Sequence, residues 1–194
     1  MHTLQRLMDS IRRDLALAAR STFRNTIAGS VLVPQVLRTL LYRSSGLAIR
    51  SFNIREGQVI DNSHLRIGDR TFVNRHCSFE GEGTIDIGAD CQIGPETTFV
   101  TSNHERLPDG TVDTAPTYLD IKVGDGVWIG ARSVILPGAV MEDDCIIAAG
   151  AVVRGRCLAG RSYGGVPARM LTSSAEPDAD KEFSIRRRSA LQWS

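Results

Sequence analysis

The sequence lacks the features that several classes of protein require. Its 23 basic and 22 acidic side chains leave a net charge of +1, so we expect no nucleic-acid partner. The apolar stretch at residues 31–42 is too short to span a bilayer and contains Pro34 and Arg38. The charged, alanine-rich start lacks the apolar segment and cleavage site of a secretory signal. We therefore expect a cytoplasmic protein without a transmembrane segment.

Cysteine and histidine are also scarce, with four of each in 194 residues. The spacing of the cysteines suits neither a zinc site nor an obvious disulfide. No three histidines stand at a spacing that would ligate one metal ion. The sequence therefore predicts no metal site.

The chain does contain an aliphatic or aromatic residue at every sixth position over long stretches. The uninterrupted run is Val123, Ile129, Ile135, Met141, Ile147 and Val153. The two earlier runs are Ile67, Val73, Phe79 and then Ile87, Ile93, Phe99. A step of six fits neither the helical period of about 3.6 nor the strand period of 2. It is typical of a solenoid whose coil has three short sides, each with one inward residue.

A second column supports this interpretation. Counting the inward residue as first, the fifth residues are all small or medium-sized, as a tight corner requires. They are Thr71, Cys77, Gly83, Cys91, Thr97, Asn103, Val127, Ser133, Ala139, Cys145, Ala151 and Cys157. All four cysteines are thereby explained as corner residues. The two columns predict a mainly β fold, a parallel β-helix of hexapeptide repeats.

The repeat is interrupted twice and preceded by helical patterns. Two extra residues between Phe79 and Ile87 predict a bulge around residues 81–83, and a step of 24 after Phe99 predicts a protruding loop at about 104–120. Apolar residues at helical spacing in 4–18 and 36–41 predict two helices. We expect an N-terminal helical cap over the first coil (1–45), the β-helix (46–171) and a C-terminal extension (172–194).

Residues 1–55 contain nine arginines and two aspartates. A solvated helix face explains this surplus, and attraction to an anionic lipid or polymer surface is the alternative. Because capping would already use the apolar faces of the helices, we expect only weak membrane-surface contact.

Two residues near the loop are candidates for chemistry. His104 lies where the loop leaves the coil, and a histidine on such a rim can act as a general base near neutral pH. The alternative interpretation is that His104 is an ordinary histidine on a surface loop. Trp128 occupies the same repeat column, so its ring should lie along an outer groove and could stack on a flat ligand group. Packing between subunits would also explain it.

Two further candidates carry polar side chains. Asn74 is the second residue of its hexad, where several repeats have glycine, so its amide could hydrogen-bond a group outside the coil. Glu82 lies in the bulge, where its carboxylate could bind a hydroxyl group or simply be solvated.

These residues belong to a set of segments that occur in one order and at one spacing. The segments are Asn74, Thr101-Ser-Asn-His104-Glu, Val127-Trp-Ile-Gly130, Ile135-Leu-Pro-Gly138, Ala148-Ala-Gly-Ala-Val152 and Gly165-Val-Pro-Ala-Arg169. Over about residues 65–171 the chain resembles the maltose and galactoside O-acetyltransferases, including the nodulation acetyltransferases, of the hexapeptide acyltransferase superfamily. The xenobiotic acetyltransferases share the fold, the histidine and part of the tryptophan segment.

The resemblance implies a left-handed β-helix and a homotrimer with active sites between subunits. It implies that His104 is the catalytic base and that Asn74 and Glu82 contact the acceptor. Glu82 replaces the aspartate usual in the family, so the acceptor can differ.

The resemblance also implies acetyl-CoA as co-substrate. Trp128 matches a residue that lines the coenzyme tunnel, and the backbones of Ala131 and Ala149 match groups that hold the pantetheine arm. Arg169 matches a contact to the nucleotide end. The family's usual lysine is replaced by Gly155, so the phosphates need another cation, for which Arg154 is our choice and Arg156 and Arg161 are the alternatives.

From these expectations we predict an acetyl-CoA-dependent O-acetyltransferase that acts by direct transfer on a sugar, polysaccharide or natural-product hydroxyl. A xenobiotic or amino-sugar N-acetyltransferase of the same fold is the nearest alternative, and a longer acyl donor is open. A β-helix hydratase of the γ-carbonic anhydrase type would need three histidines around zinc. A non-catalytic hexapeptide subunit of a larger assembly would bind no coenzyme A.

Overall fold

The structure, a computed structural model, describes residues 2–171. Two helices and a π-helical turn precede the strands: α1 (His2–Ser21), the π-helical turn (Thr22–Ala28) and α2 (Gln35–Ser44). The strands are β1 (Ala48–Ile49), β2 (Val59–Ile60), β3 (Leu65–Ile67), β4 (Phe72–Val73), β5 (Ser78–Glu80), β6 (Ile85–Ile87), β7 (Gln92–Ile93), β8 (Thr98–Val100), β9 (Ser102–Asn103), β10 (Thr117–Tyr118), β11 (Ile121–Val123), β12 (Trp128–Ile129), β13 (Val134–Ile135), β14 (Val140–Met141), β15 (Ile146–Ile147), β16 (Val152–Val153), β17 (Arg156–Cys157), β18 (Ser162–Gly164) and β19 (Arg169–Met170).

Successive strands of the coil form three sheets. The first sheet has the order β1-β3-β6-β11-β14-β17, the second β19-β18-β15-β12-β7-β4 and the third β16-β13-β8-β5-β2. Neighbouring strands pair in parallel except β18 with β19. The register aligns equivalent positions of successive repeats, for example Ile93 with Ile129 and Ile129 with Ile147. The predicted parallel β-helix is therefore confirmed.

The repeat column is the core of the coil. All twelve inward residues of the repeat are buried, and the Phe79 and Phe99 rings stack with their centroids 5.1 Å apart. A further inward column, which the step of six does not reveal, belongs to the three-residue strands of the first sheet. Its members are Leu65, Ile85 and Ile121.

The prediction that the fifth residue of each hexad lies at a tight corner of the coil is correct with one exception. Asn103 is exposed, because the chain leaves the coil after Phe99 and pairs β9 with β10 instead. Thr101 is the fully buried residue at this corner. The four cysteines are free and buried. Burial raises the pKa of the Cys77 and Cys145 thiols to about 12 and that of Cys91 and Cys157 to about 11.

The cap over the first coil differs from the expected one. The α2 helix and the π-helical turn do cover it, but α2 turns Arg38, Thr39 and Tyr42 inward. Its aliphatic residues Val36, Leu37 and Leu40 remain exposed. For Arg38 and Thr39 the reason is a hydrogen-bonding demand: irregular chain turns beside the first coil present buried carbonyl oxygens, which these donor side chains satisfy.

The Arg38 guanidinium supplies those donors. It donates to the carbonyl oxygens of Ala28, Ser30, Val33 and Ile54 at 2.6–3.0 Å. These contacts join α2 to the turn before it and to the first coil.

Arg24 acts in the same way from the π-helical turn. It donates to the carbonyl oxygens of Ser45 and Asn62 at 2.8 and 3.2 Å. Both arginines therefore link the N-terminal segment to the coil.

The prediction that both helices cover the coil is wrong for α1. From residue 5 to residue 20 every side chain is exposed except that of Ser10, which is half-buried. None of the helices described between residues 2 and 171 has the length and apolar content needed to cross a bilayer. The expected C-terminal extension, 172–194, lies outside the described residues.

The expected loop is an arm that leaves and rejoins the coil. Strands β9 and β10 pair in antiparallel fashion at its root, and Arg106 bridges to Val112 farther out. Regular coiling resumes at the buried Ile121.

Candidate functional site

A cavity of about 490 Å³ lies on the outer face of the second sheet. Residues that precede the inward positions form a ladder across this face: Phe72 pairs with Gln92, Gln92 with Trp128, and Trp128 with Ile146. All four side chains line the cavity, together with Pro95. Its walls are therefore mainly apolar and aromatic, with one carboxamide in the ladder.

Four of the predicted site residues line this cavity. They are Asn74, Trp128, Ala131 and Ala149. Sequence reasoning missed Phe72, Gln92 and Pro95, although Phe72 and Gln92 occupy the same repeat position as Trp128. Attention to that whole column, rather than to the tryptophan alone, would have found them.

The floor of the cavity depends on close contact between successive coils. A Cβ atom added at Gly130 would lie 2.4 Å from the Ala149 nitrogen, and one added at Gly94 would lie 2.6 Å from the Ala131 nitrogen. Only glycine fits at these two positions without displacing the backbone below.

The cavity also presents unpaired backbone donors. At the corner after the first sheet, the Asp125 carboxylate accepts the Ala89 N–H at 2.7 Å and the Asp143 carboxylate accepts the Asp125 N–H at 2.9 Å. The equivalent third hexad positions at the cavity are Ala131 and Ala149. An alanine side chain cannot accept a hydrogen bond, and neither N–H has an acceptor among residues 2–171. These two N–H groups can bind an oxygen atom of a ligand.

Asn74 is held in place from both sides. Its Oδ1 accepts the Arg75 N–H at 2.9 Å, and its main-chain oxygen accepts from the Gln58 side chain at 2.7 Å. Because Oδ1 is engaged, the amide NH2 is the part of the side chain that can donate to a ligand.

His104 lies in the arm, just after β9, and is exposed. Its Nδ1 is 2.8 Å from the carbonyl oxygen of Asp113 on the opposite side of the arm. A carbonyl oxygen can only accept, so this contact places a proton on Nδ1. Nε2 of the neutral ring is then an acceptor, which is the form that a general base requires.

The bulge that carries Glu82 packs against the root of this arm. A Cβ atom added at Gly81 would lie 2.3 Å from the Thr101 Oγ1 and 3.1 Å from the Ser102 nitrogen. Thr101 Oγ1 donates to the Glu80 carbonyl oxygen at 3.0 Å and accepts the Gly83 N–H at 3.1 Å. The exposed Glu82 and His104 are therefore attached to the same corner of the coil.

Asn62 fixes the bulge from the other side. Its buried amide donates to the carbonyl oxygens of Gly81 and Gly83, each at 2.7 Å. The sequence gives no indication of these contacts, because Asn62 and Thr101 act on residues 18–21 positions away.

The predicted residues thus fall into separate groups within one chain. His104, Glu82, Arg154 and Arg169 do not line the cavity that contains Asn74, Trp128, Ala131 and Ala149. Arg154 and Arg169 are exposed near the last coils, and Arg169 Nη1 donates to the Ala168 carbonyl oxygen at 3.0 Å.

The alternative cations are not equivalent. Arg156 Nε donates to the Glu142 carboxylate at 2.6 Å, so its charge is already paired. Gly155 has φ of 79°, a conformation in which a lysine would be strained. Within residues 2–171, no group of three or more His, Cys, Asp or Glu side chains could hold a metal ion.

Comparison with known proteins gives consistent results. The family model for the bacterial transferase hexapeptide (six repeats) matches residues 120–155. A sophorolipid acetyltransferase of Starmerella bombicola is 39% identical over 118 residues, which is 61% of this chain and 46% of that protein. This chain spans about half the length of the curated relatives it matches.

Two solved structures have a similar fold. A maltose O-acetyltransferase from Clostridium difficile 630 matches with a TM-score of 0.71 and 21% identity, over 86% of this chain and 88% of that chain. A hexapeptide-repeat-containing acetyltransferase from Vibrio cholerae O1 biovar eltor, complexed with acetyl coenzyme A, matches with a TM-score of 0.66 and 27% identity, over 83% and 88%. With its repeat, its parallel coil and these relatives, the chain is similar to the hexapeptide-repeat acetyltransferases.

Proposed function

We propose that this protein is an acetyl-CoA-dependent O-acetyltransferase that transfers the acetyl group directly to a hydroxyl of a saccharide or other natural-product acceptor. The observation that carries the proposal is the cavity on the second sheet, which combines apolar walls, Trp128 and the two unpaired N–H groups of Ala131 and Ala149. A thioester arm with amide oxygens is complementary to such a lining. The similar Vibrio cholerae protein is complexed with acetyl coenzyme A.

The proposal includes a homotrimer with three intersubunit sites. In one chain, His104 and Glu82 lie at the root of the arm, whereas Asn74 and Trp128 line the cavity. A threefold arrangement would bring the arm of one subunit to the cavity of the next, so that each site is completed by two chains.

In the proposed reaction, Nε2 of His104 takes the proton of the acceptor hydroxyl while that oxygen attacks the thioester carbonyl carbon. The Ala131 N–H stabilises the tetrahedral oxyanion. Collapse of this intermediate breaks the C–S bond, and the imidazolium returns the proton to the leaving sulfur. Asn74 and Glu82 orient the acceptor.

Direct transfer is supported by the state of the cysteines. All four thiols are buried, and burial holds each pKa at about 11 or 12, so they are protonated at neutral pH and poor nucleophiles. A covalent acetyl-cysteine intermediate therefore has no suitable residue among them. We also place the protein in the cytoplasm, where free thiols persist.

At the donor end, we assign Arg154 and Arg169 to the phosphates of the coenzyme. Both are exposed, whereas Arg156 is paired with Glu142. Trp128 packs on the coenzyme arm.

A thiol-release assay with acetyl-CoA tests the proposal, run over panels of hydroxylated and amino acceptors. With an acceptor in hand, His104→Ala should lower kcat by about 10²–10⁴-fold and leave coenzyme A binding nearly unchanged. The matched control is His64→Ala, which alters an exposed histidine outside the cavity. Activity of the His104 variant within a few-fold of wild type would remove His104 from the mechanism.

The same assay distinguishes the remaining alternatives. Transfer to amines alone would favour an N-acetyltransferase, and absence of coenzyme A binding would favour a non-catalytic assembly subunit. Trp128→Ala and Arg169→Ala should each raise the KM for acetyl-CoA several-fold, with smaller effects on kcat. If both variants instead lose affinity for the acceptor, the cavity binds the acceptor rather than acetyl-CoA, and this assignment is wrong. A monomer by light scattering would contradict the intersubunit site.

A further inference from the structure

The α1 helix stands free of the coil. Over its four turns from residue 5 to residue 20, the side chains on both faces of the helix are exposed, apart from the half-buried Ser10. Helices in proteins owe most of their stability to packing of an apolar face. Because α1 has such a face and nothing among residues 2–171 covers it, this face is available to a partner.

The apolar face forms a continuous stripe. Leu7, Met8, Ile11 and Leu15 fall within an arc of about 100° around the helix axis, and each is 43–65% exposed. The neighbouring turn before α2 adds Val31 and Leu32, which are 74% and 87% exposed.

Exposed apolar side chains are concentrated in this part of the molecule. Of the 21 large hydrophobic residues that are exposed within residues 2–171, 11 lie between residues 7 and 40. We call this group the N-terminal apolar surface; its members are Leu7, Met8, Ile11, Leu15, Leu17, Ile27, Val31, Leu32, Val36, Leu37 and Leu40. Within this group the stripe on α1 is a contiguous apolar face, and an exposed face of this kind indicates a binding surface.

The charge around this surface indicates what binds there. The α1 helix contains four arginines and two aspartates. Beyond it, residues 22–55 contain no acidic residue and five arginines, of which Arg24 and Arg38 are buried. An apolar stripe on an arginine-rich helix is typical of helices that lie in the headgroup region of a bilayer.

We propose that α1 and the rest of the N-terminal apolar surface dock on an anionic phospholipid bilayer. The apolar side chains would enter the boundary between headgroups and acyl chains, and the exposed arginines would pair with lipid phosphates. A second copy of this chain fits less well, because it would bring an equally basic segment against the first.

The exposed position of α1 also changes the strength of membrane binding that we expect. Weak contact followed from assigning the apolar faces to the cap, but the cap uses Arg38, Thr39 and Tyr42 instead. The apolar faces are therefore available, and binding should persist in part at physiological salt, where purely electrostatic attraction is largely screened.

Co-flotation of the full-length protein with vesicles tests the proposal. Vesicles of phosphatidylglycerol mixed with phosphatidylcholine are compared with vesicles of phosphatidylcholine alone. The double variant Ile11→Ser/Leu15→Ser should lower binding to the anionic vesicles about tenfold or more, because it removes the centre of the stripe without changing charge. The matched control is Val112→Ser/Leu158→Ser, which removes two comparably exposed aliphatic side chains elsewhere.

Preferential binding to anionic vesicles that is lost in the Ile11/Leu15 variant and kept in the control supports the proposal. Equal binding of both variants, or equal binding to neutral vesicles, overturns it. If the wild type binds no vesicles and the Ile11/Leu15 variant alone has a lower molar mass by light scattering, a second copy covers the stripe and the lipid assignment is wrong. Helical content by circular dichroism shows in each case whether the variant keeps its fold.

Discussion

In the coil, the position of a residue in the repeat decides whether it is buried, and every inward position of the sixfold step holds an apolar side chain. In the N-terminal segment the relation is reversed, because α2 buries Arg38 and Thr39 and exposes Val36, Leu37 and Leu40. The difference comes from the backbone. Parallel strands of the coil bond to one another, so its inward column needs no polar side chains, whereas the turns beside the first coil leave carbonyl oxygens that arginines satisfy.

This contrast separates two roles within one chain. The coil is a rigid support that sets the cavity, the Ala131 and Ala149 N–H groups and the root of the His104 arm. The N-terminal segment closes the first coil with two arginines and the buried Tyr42, and it leaves most of its aliphatic side chains exposed. Substitutions in the coil and in the N-terminal segment should therefore have unequal effects on stability, on acetyl-CoA binding and on membrane-surface binding.

The largest effect on stability is expected inside the coil. Phe99→Ala removes a fully buried ring that stacks on Phe79, and the close-packed neighbours cannot fill the space. We expect a loss of about 3–5 kcal/mol in the free energy of unfolding, measured by urea denaturation at matched protein concentration. The half-buried Thr98→Ala on the outer face is the control. Equal losses for both variants would show that the position of a residue in the repeat does not determine how much its side chain contributes to the free energy of unfolding.

A smaller loss is expected in the cap. Arg38→Met keeps much of the side-chain volume but leaves the carbonyl oxygens of Ala28, Ser30, Val33 and Ile54 without this donor. We expect a loss of about 3 kcal/mol and faster proteolysis between residues 28 and 34. Arg50→Met, at a mostly exposed side chain, should change neither. An unchanged Arg38 variant would show that the cap is held by apolar packing after all.

The next effect tests how tightly the cavity floor is built. Gly130→Ala places a methyl group against the Ala149 nitrogen, so the coils must separate locally and the N–H donor must move. We expect a loss of about 2 kcal/mol in stability and a higher KM for acetyl-CoA. Gly164→Ala is the matched control in the same column, because its nearest atom is the Ala148 Cβ at 3.2 Å. A raised KM in the control alone would contradict the assignment of these donors.

The sequence predicted the coil well because each repeat samples the same environment, so one column of residues determines the fold of all. It also predicted four of the cavity residues, Asn74, Trp128, Ala131 and Ala149. It could not predict the buried Arg38, because a hydrophobic pattern assigns arginine to the surface and the carbonyl acceptors exist only in the folded chain. The same holds for the contact between His104 and Asp113, which depends on how the arm folds back.

A role for the Ala131 and Ala149 backbones in holding the pantetheine arm was only implied by resemblance. Their physical reason appears when two corners of the coil are compared, since Asp125 and Asp143 satisfy the equivalent donors at the other corner. The lack of an aspartate at positions 131 and 149 indicates available N–H donors only once the three-dimensional register of the hexads is known.

The smallest effect on stability is expected at α1, where the contrast with the coil is sharpest. Ile11→Ser/Leu15→Ser changes two large side chains that are 48% and 65% exposed and contact no part of the coil core. Surface substitutions of this kind change the free energy of unfolding by about 0.5 kcal/mol or less, so the urea midpoint should match that of the wild type. The acetyl-transfer rate should also be unchanged, because the variant touches neither the cavity nor the arm. A loss of vesicle binding together with an unchanged midpoint would assign the apolar stripe to surface binding rather than to folding. A midpoint lowered as far as that of Phe99→Ala would instead mean that α1 packs within the assembly, and the division between coil and N-terminal segment would fail.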